Sequence, residues 1–364
     1  MRDRSRTILS IVLLVALRGI VASLQHSRYK RSGLALHPQD AARLELVNEF
    51  SARSGSVERG PNSNRPHRES KLDKPSKRMT RKRVINMLNI GCHLSTRKGL
   101  LNMAQAAASI GANAIQFFTR NPRGSHAREV NEKDLSAFKG FAKEHGIDHL
   151  LAYAPYTLEP ASTNMTQRDF ARMVIAEDLA RMESLPGHGY LVRPGSAKEQ
   201  TREAAITHLV DTLNQTLAPA QHTTLLLATM PGSGTQICST FEEMASVLEG
   251  VNLGDHVGIC FDASAVWAAG YNIVEDLPGV LKQLDSTVGL SRVKAVHLND
   301  CKEACGARAD RHARIGEGAI GFDALSALVN DPAFAGVPFY LEEPSADLSI
   351  YHEDIERFTD AYHE

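Results

Sequence analysis

An α/β fold, a (β/α)8 barrel, is what three observations predict for this chain. From residue 84 onward, short apolar runs alternate with longer amphipathic stretches, the alternation repeats eight times, and polar residues gather where the apolar runs stop. A barrel of this kind carries its working side chains at the C-terminal ends of its strands.

The apolar runs place strands at 84–94, 114–118, 149–153, 190–193, 224–228, 257–262, 293–298 and 339–342. The amphipathic stretches between them place helices at 100–110, 131–144, 167–183, 201–217 and 241–248. The richest strand end is the seventh. Val293, Ala295, Val296 and Leu298 read as a buried strand, and His297, Asn299 and Asp300 stand where it ends. A loop follows with Asp310, Arg311 and His312 in a row, then Gly316, Gly318 and Gly321, which let backbone turn tightly and approach a ligand. Two histidines and an aspartate within so short a span can surround a borderline metal such as zinc. Taken one at a time, each of these residues reads as structural; the constellation points to chemistry.

With 364 residues and 43% hydrophobic content, the chain can bury a large core. The net charge of −1 conceals an asymmetry. Residues 1–80 hold 16 of the 41 Lys and Arg but only 7 of the 42 Asp and Glu, so the remainder is acidic, 25 against 35. An acidic body argues against broad, non-specific phosphate binding, which relies on Lys and Arg. Five scattered cysteines, at 92, 238, 260, 301 and 305, make no disulfide framework. Cys301 and Cys305 lack the second thiol pair of a structural zinc site and read as plain thiols.

The N-terminal stretch reads as an address. Arg2, Arg4 and Arg6 precede the apolar run 8–17, and Ala22 with Ser23 offers small residues for cleavage, so 1–23 is signal-like. That run is too short for a comfortable membrane span, and no stable membrane insertion is expected. Residues 24–83 are rich in Arg, Lys, Ser, Pro and Asn, as in a disordered linker or transit segment, leaving 84–364 as the barrel domain. Such a leader fits a plastid, a mitochondrion or the secretory route, with the nucleus as the alternative. The triplets at Asn164 and Asn214 fit the glycosylation pattern, which also arises by chance.

Seven motifs stand in one order along the chain: GCHLS at 91–95, FFTRNPR at 117–123, APY at 154–156, RPGS at 193–196, GICFDASAVWAAGY at 258–271, HLNDCK through GARADRHARIGEGAIG at 297–321, and YLEEP at 340–344. Over residues 84–362 the chain resembles the endonuclease IV family, metal-dependent TIM-barrel enzymes that incise DNA at abasic sites. The resemblance implies three zinc ions held by nine side chains. Five of those positions are kept here, as Asp262, His297, Asp310, His312 and Glu342. Four are replaced: Tyr153, Arg193 and Ala265 stand where the family has histidines, and Ala228 where it has the glutamate that bridges two of the ions.

The resemblance therefore implies that the first ion loses every protein ligand, that the second keeps Asp262, His297 and Glu342, and that the third keeps only Asp310 and His312. At most one or two zinc ions are expected, because a site short of a ligand loses orders of magnitude in affinity. The resemblance also places Arg123 and Tyr156 on loops that enter or line DNA, and Arg193 is expected to bind phosphate without activating water. Glu159, in the altered segment TLEPAS, is expected to repel phosphate. The chain is thus expected to be a monomeric endonuclease IV-like protein of abasic-site DNA repair with weakened or lost incision. The alternatives are a non-catalytic DNA-binding or scaffold pseudoenzyme and a one-metal sugar isomerase or epimerase.

Overall fold

The computed structural model describes residues 87–363 apart from 123–126, 128 and 186–187. The signal-like and linker segments expected at 1–83 lie outside the described residues, as does Arg123.

Eight parallel strands close into a barrel. In chain order they are β1 (Ile90–His93), β2 (Ala114–Phe118), β3 (His149–Tyr153), β4 (His188–Val192), β5 (Thr224–Ala228), β6 (Val257–Asp262) and β7 (Val293–His297). A small antiparallel hairpin, β8 (Asp300–Cys301) and β9 (His312–Ala313), intervenes before the last barrel strand, β10 (Phe339–Leu341). Around the barrel the strands run β1-β10-β7-β6-β5-β4-β3-β2. The outer layer comprises α1 (Leu100–Ser109), α2 (Glu132–Glu144), α3 (Met165–Met182), α4 (Arg202–Thr216) and α5 (Phe241–Gly250). It continues with α6 (Ala263–Ala269), α7 (Leu277–Thr287), α8 (Gly321–Asn330) and α9 (Leu348–Ala361). Asn131, Asn164, Thr201, Thr240, Asp276 and Asp347 start helices by accepting first-turn N–H groups, the usual work of short polar side chains at a helix start.

Of the strand expected at 84–94, residues 84–86 lie outside the described residues; Ile90 to His93 pair in register with β2 and β10, and Asn89 and Leu94 add one backbone bond each at the two ends. Gly91 passes so close to the Ala114 carbonyl that no side chain fits between them. The fourth strand begins at His188 rather than Tyr190 and stops at Val192, so Arg193 stands one residue beyond it, where the chain is free to bend.

Alternate residues point into the barrel, Leu151 and Tyr153 on β3, Leu226 and Ala228 on β5. They meet Ala114, Leu191, Cys260, Ala295 and Tyr340 in a closed apolar interior. Two of the replaced positions, Tyr153 and Ala228, are thus members of this packed layer. Outside the strands a larger apolar cluster joins barrel to helices. At the end of β2 the buried Asp178 carboxylate of α3 takes hydrogen bonds from Thr119, Arg120 and Tyr190, which locks that corner.

Candidate functional site at the barrel mouth

The strand ends gather His93, Gln116, Tyr153, Arg193, Ala228, Asp262, His297 and Glu342 at one mouth. At its centre lies a hydrogen-bonded relay. His297 is 2% exposed and sends Nδ1–H to Asp262 Oδ2 at 3.0 Å and Nε2–H to Gln116 Oε1 at 2.6 Å. Both partners present acceptor oxygens, an arrangement that favours the charged ring. Burial works against that charge, but the Cys260 sulfur, the Glu342 carboxylate and the bond to Asp262 outweigh it and raise the pKa well above 6.5. Asp262 responds in the opposite sense. Burial alone would raise its carboxyl, yet the His297 bond and charge, the His312 charge and the Ala265 N–H hold it below the usual range.

Gln116 is the other half of the relay. Its amide nitrogen donates to Glu342 Oε1 and to His93 Nδ1, the latter at 3.1 Å. His93 accepts at that nitrogen, and burial lowers its pKa. Asn299 ties β6 to β10, donating to Asp262 at 2.9 Å and accepting the Glu342 N–H at 3.1 Å. Sequence reasoning missed Gln116 and His93 as site residues. The available signal was a single amide inside the apolar run AIQFF, at a position that faces the barrel interior.

Asp310 and His312 come from the hairpin loop. Ser264 Oγ donates to Asp310 Oδ1 at 2.5 Å, and His312 Nε2 lies 3.4 Å from the same oxygen. His312 Nδ1–H donates to the Glu342 carbonyl at 3.1 Å, which fixes the ring orientation. Burial would lower its pKa, but the Asp310 bond and the charges of Asp262, Asp310 and Glu342 raise it from 6.5 to about 9. This ion pair stabilises the fold fully below pH 6.5, and the stabilisation is lost as pH rises through about 9. His312→Gln therefore flattens the decline of urea stability across that window. Equal slopes in parent and variant would contradict this assignment.

The glycine-rich run does something other than approach a ligand. Asp300, fully buried, accepts N–H groups from Cys301, Gly316, Gly318, Ile320 and Gly321 at 2.8 to 3.2 Å. The glycines wrap the chain's own carboxylate. A side chain at Gly318 would land on that carboxylate and on the Cys301 carbonyl. Glu159 also departs from expectation, since Lys198 pairs with it at 3.1 Å and answers its charge. Cys301 is buried, Cys305 half-buried, and both thiols are free.

Beside the relay the mouth is cationic and aromatic, with the Tyr153 ring 6.2 Å from that of His297. Arg193 is exposed, donates Nε–H to the Tyr153 hydroxyl at 3.1 Å and holds its guanidinium 4.6 Å from the centre of the Tyr156 ring. Tyr153 stacks on Phe118, and Tyr156 meets both rings edge-on. Tyr156 is 46% exposed and available to a ligand.

Zinc is the metal the fold relatives imply, and the donor set here does not fit three ions. A guanidinium keeps its proton and lends no electron pair. Burial pushes the Tyr153 phenol up, away from a phenolate ligand, and Ala228 carries no donor atom. Among the described residues, no group of three or more His, Cys, Asp or Glu side chains is gathered so as to hold a metal ion. Asp262, His297 and Glu342 have the right chemistry to hold one ion, with His297 giving up one of its two relay bonds.

Residues 104–361 match the family model of the xylose isomerase-like TIM barrel. The probable endonuclease 4 of Alkaliphilus oremlandii is 45% identical over 276 residues, 76% of this chain and 98% of the relative. That of Bacillus subtilis is 34% identical over 261 residues, 71% of this chain and 88% of the relative. Among solved structures, endonuclease IV of Thermus thermophilus superposes with a TM-score of 0.67 at 27% identity, covering 75% of this chain and 99% of that one. A D-tagatose 3-epimerase-like protein shares the fold alone, with a TM-score of 0.58 at 17% identity. At 45% identity across 98% of one such relative, the chain belongs to the endonuclease IV family.

Proposed function

We propose that this chain engages abasic DNA at the C-terminal mouth of its barrel, with metal-dependent incision weakened or lost. The observation that carries this reading is the Arg193–Tyr153 hydrogen bond. It fills, with a fixed cation and a phenol, two positions where the family resemblance implies zinc-binding histidines, beside an Ala228 that supplies no bridging carboxylate. Multi-metal phosphodiester cleavage needs ions to make the attacking hydroxide and stabilise the leaving oxygen. Arginine can hold the phosphate but cannot lower the pKa of water. Tyr156 and Arg193 are the DNA-facing groups of this mouth, and Arg123 belongs with them on the family pattern. The relatives are probable endonucleases, which supports a nucleic-acid substrate.

The test is an abasic duplex with the full chain and excess zinc. The expected result is binding that weakens steeply as salt rises, with incision at least about a hundredfold slower than an intact relative, the scale of losing one preorganised charge donor. Incision at the relative's rate sinks the proposal. Absence of salt-dependent binding favours a scaffold protein.

A further inference from the structure

We infer that Arg193 makes the barrel mouth a metal-independent binding site for a phosphate oxyanion, a deeper claim that rests on the DNA reading above only for the identity of the ligand. The first observation is the anchoring of the side chain. Its Nε is used by the Tyr153 hydroxyl, and its flat face lies against Tyr156. Tyr153 is itself buried and braced by Phe118, so the guanidinium is held from within, and its two terminal nitrogens, which make no hydrogen bond among the described residues, are left for a ligand.

The second observation is the absence of a counter-charge. Arg120, Arg172, Arg202, Arg311 and Arg314 all pair with carboxylates. Arg193 has no carboxylate within ion-pair distance among the described residues. Glu342, whose charge reaches Arg193 from beyond ion-pair distance, bonds Gln116 instead. A cation fixed on an aromatic wall with both terminal nitrogens open presents a fork that matches two oxygens of one phosphate. Because the side chain is already ordered, little conformational entropy remains to be lost on binding. The ligand needs no metal, since the positive charge that a metal would bring is already covalently present.

The test uses the full chain in EDTA, a fluorescein-labelled duplex carrying a tetrahydrofuran abasic analogue, and inorganic phosphate as a second probe read by thermal shift. The wild-type Kd for the duplex is expected to change less than about twofold on adding zinc. Arg193→Gln weakens it about tenfold or more, the loss of a charge-assisted fork, and Arg193→Lys recovers only part. Tyr153→Phe keeps the ring but releases Nε, and is expected to weaken binding about threefold. Because Arg193 is exposed, the variants are checked for an unchanged melting temperature. If the duplex binds only with zinc, or equally well with Arg193→Gln, this inference is overturned while the DNA reading stands. If the duplex does not bind but phosphate raises the wild-type melting temperature and not that of Arg193→Gln, the anion site is upheld and the DNA reading fails. If neither probe responds in EDTA, the site is refuted.

Discussion

Restoring four side chains at once, Tyr153→His, Arg193→His, Ala228→Glu and Ala265→His, is expected to give a chain that takes up three zinc ions and cuts abasic duplex roughly a thousandfold or more faster than the parent. One missing charge donor costs about 10²–10³ in rate, and here a whole cluster is rebuilt. The scaffold is ready for the change. Tyr153 and Ala228 sit at the top of the interior layer on neighbouring parts of the barrel, Arg193 just past β4, and Ala265 in the first turn of α6 with its N–H on Asp262. Ala228→Glu alone has the opposite effect. It places an unpaired carboxylate on a residue that is 6% exposed, in the same layer as the intact tyrosine, and is expected to lower stability by about 1–3 kcal/mol without activity. A fourfold variant that folds, binds three zincs and remains inert would show that something other than the cluster is missing.

Asp300→Ala is expected to lower the melting temperature by about 10 °C. Five backbone N–H groups lose their buried acceptor; Cys301 and Ile320 are buried and the three glycines lie nearer the surface, and a buried donor left unpaired costs about 1–3 kcal/mol before relaxation and water recover part of it. A net loss of about 3–5 kcal/mol corresponds to that shift in a domain of this size. Gly318→Ala strikes the same carboxylate from the other side, so the double variant should lose clearly less than the two single losses combined. Additive losses, or a melting temperature unchanged by Asp300→Ala, would show that the carboxylate does not organise the loop. The consequence reaches the site, because this loop carries Asp310 and His312 to the mouth.

The barrel was legible in the sequence because parallel strands buried on both faces read as apolar runs, and the runs at 114–118, 149–153, 224–228 and 257–262 match their strands residue for residue. Edges were less so. Within the run at 84–94 the described part pairs regularly only from Ile90 to His93, and hydropathy does not register where a neighbouring strand ends. At the site, sequence reveals donor types but not their commitments. Asp262 bonds His297, yet Gln116 engages His297 and Glu342 together, and a glutamine within an apolar run gives no hint of which charged groups surround it. The glycines at 316, 318 and 321 announce a close backbone approach. Their partner, Asp300, is invisible in one dimension because the hairpin folds back sixteen or more residues to bring it there. Arg193 was legible as a cation at a strand end. Its anchoring depends on Tyr153, forty residues earlier, and only the closed barrel brings the two together.

The most direct measurement is the zinc content of the full chain, purified without chelator and counted by mass spectrometry beside Glu342→Ala. At most one or two ions per chain are predicted, with loss of an ion in the variant where Glu342 helps to hold it. Three ions per wild-type chain would contradict the account, because Tyr153, Arg193, Ala228 and Ala265 would then have been replaced by other ligands and the family's incision chemistry would be intact.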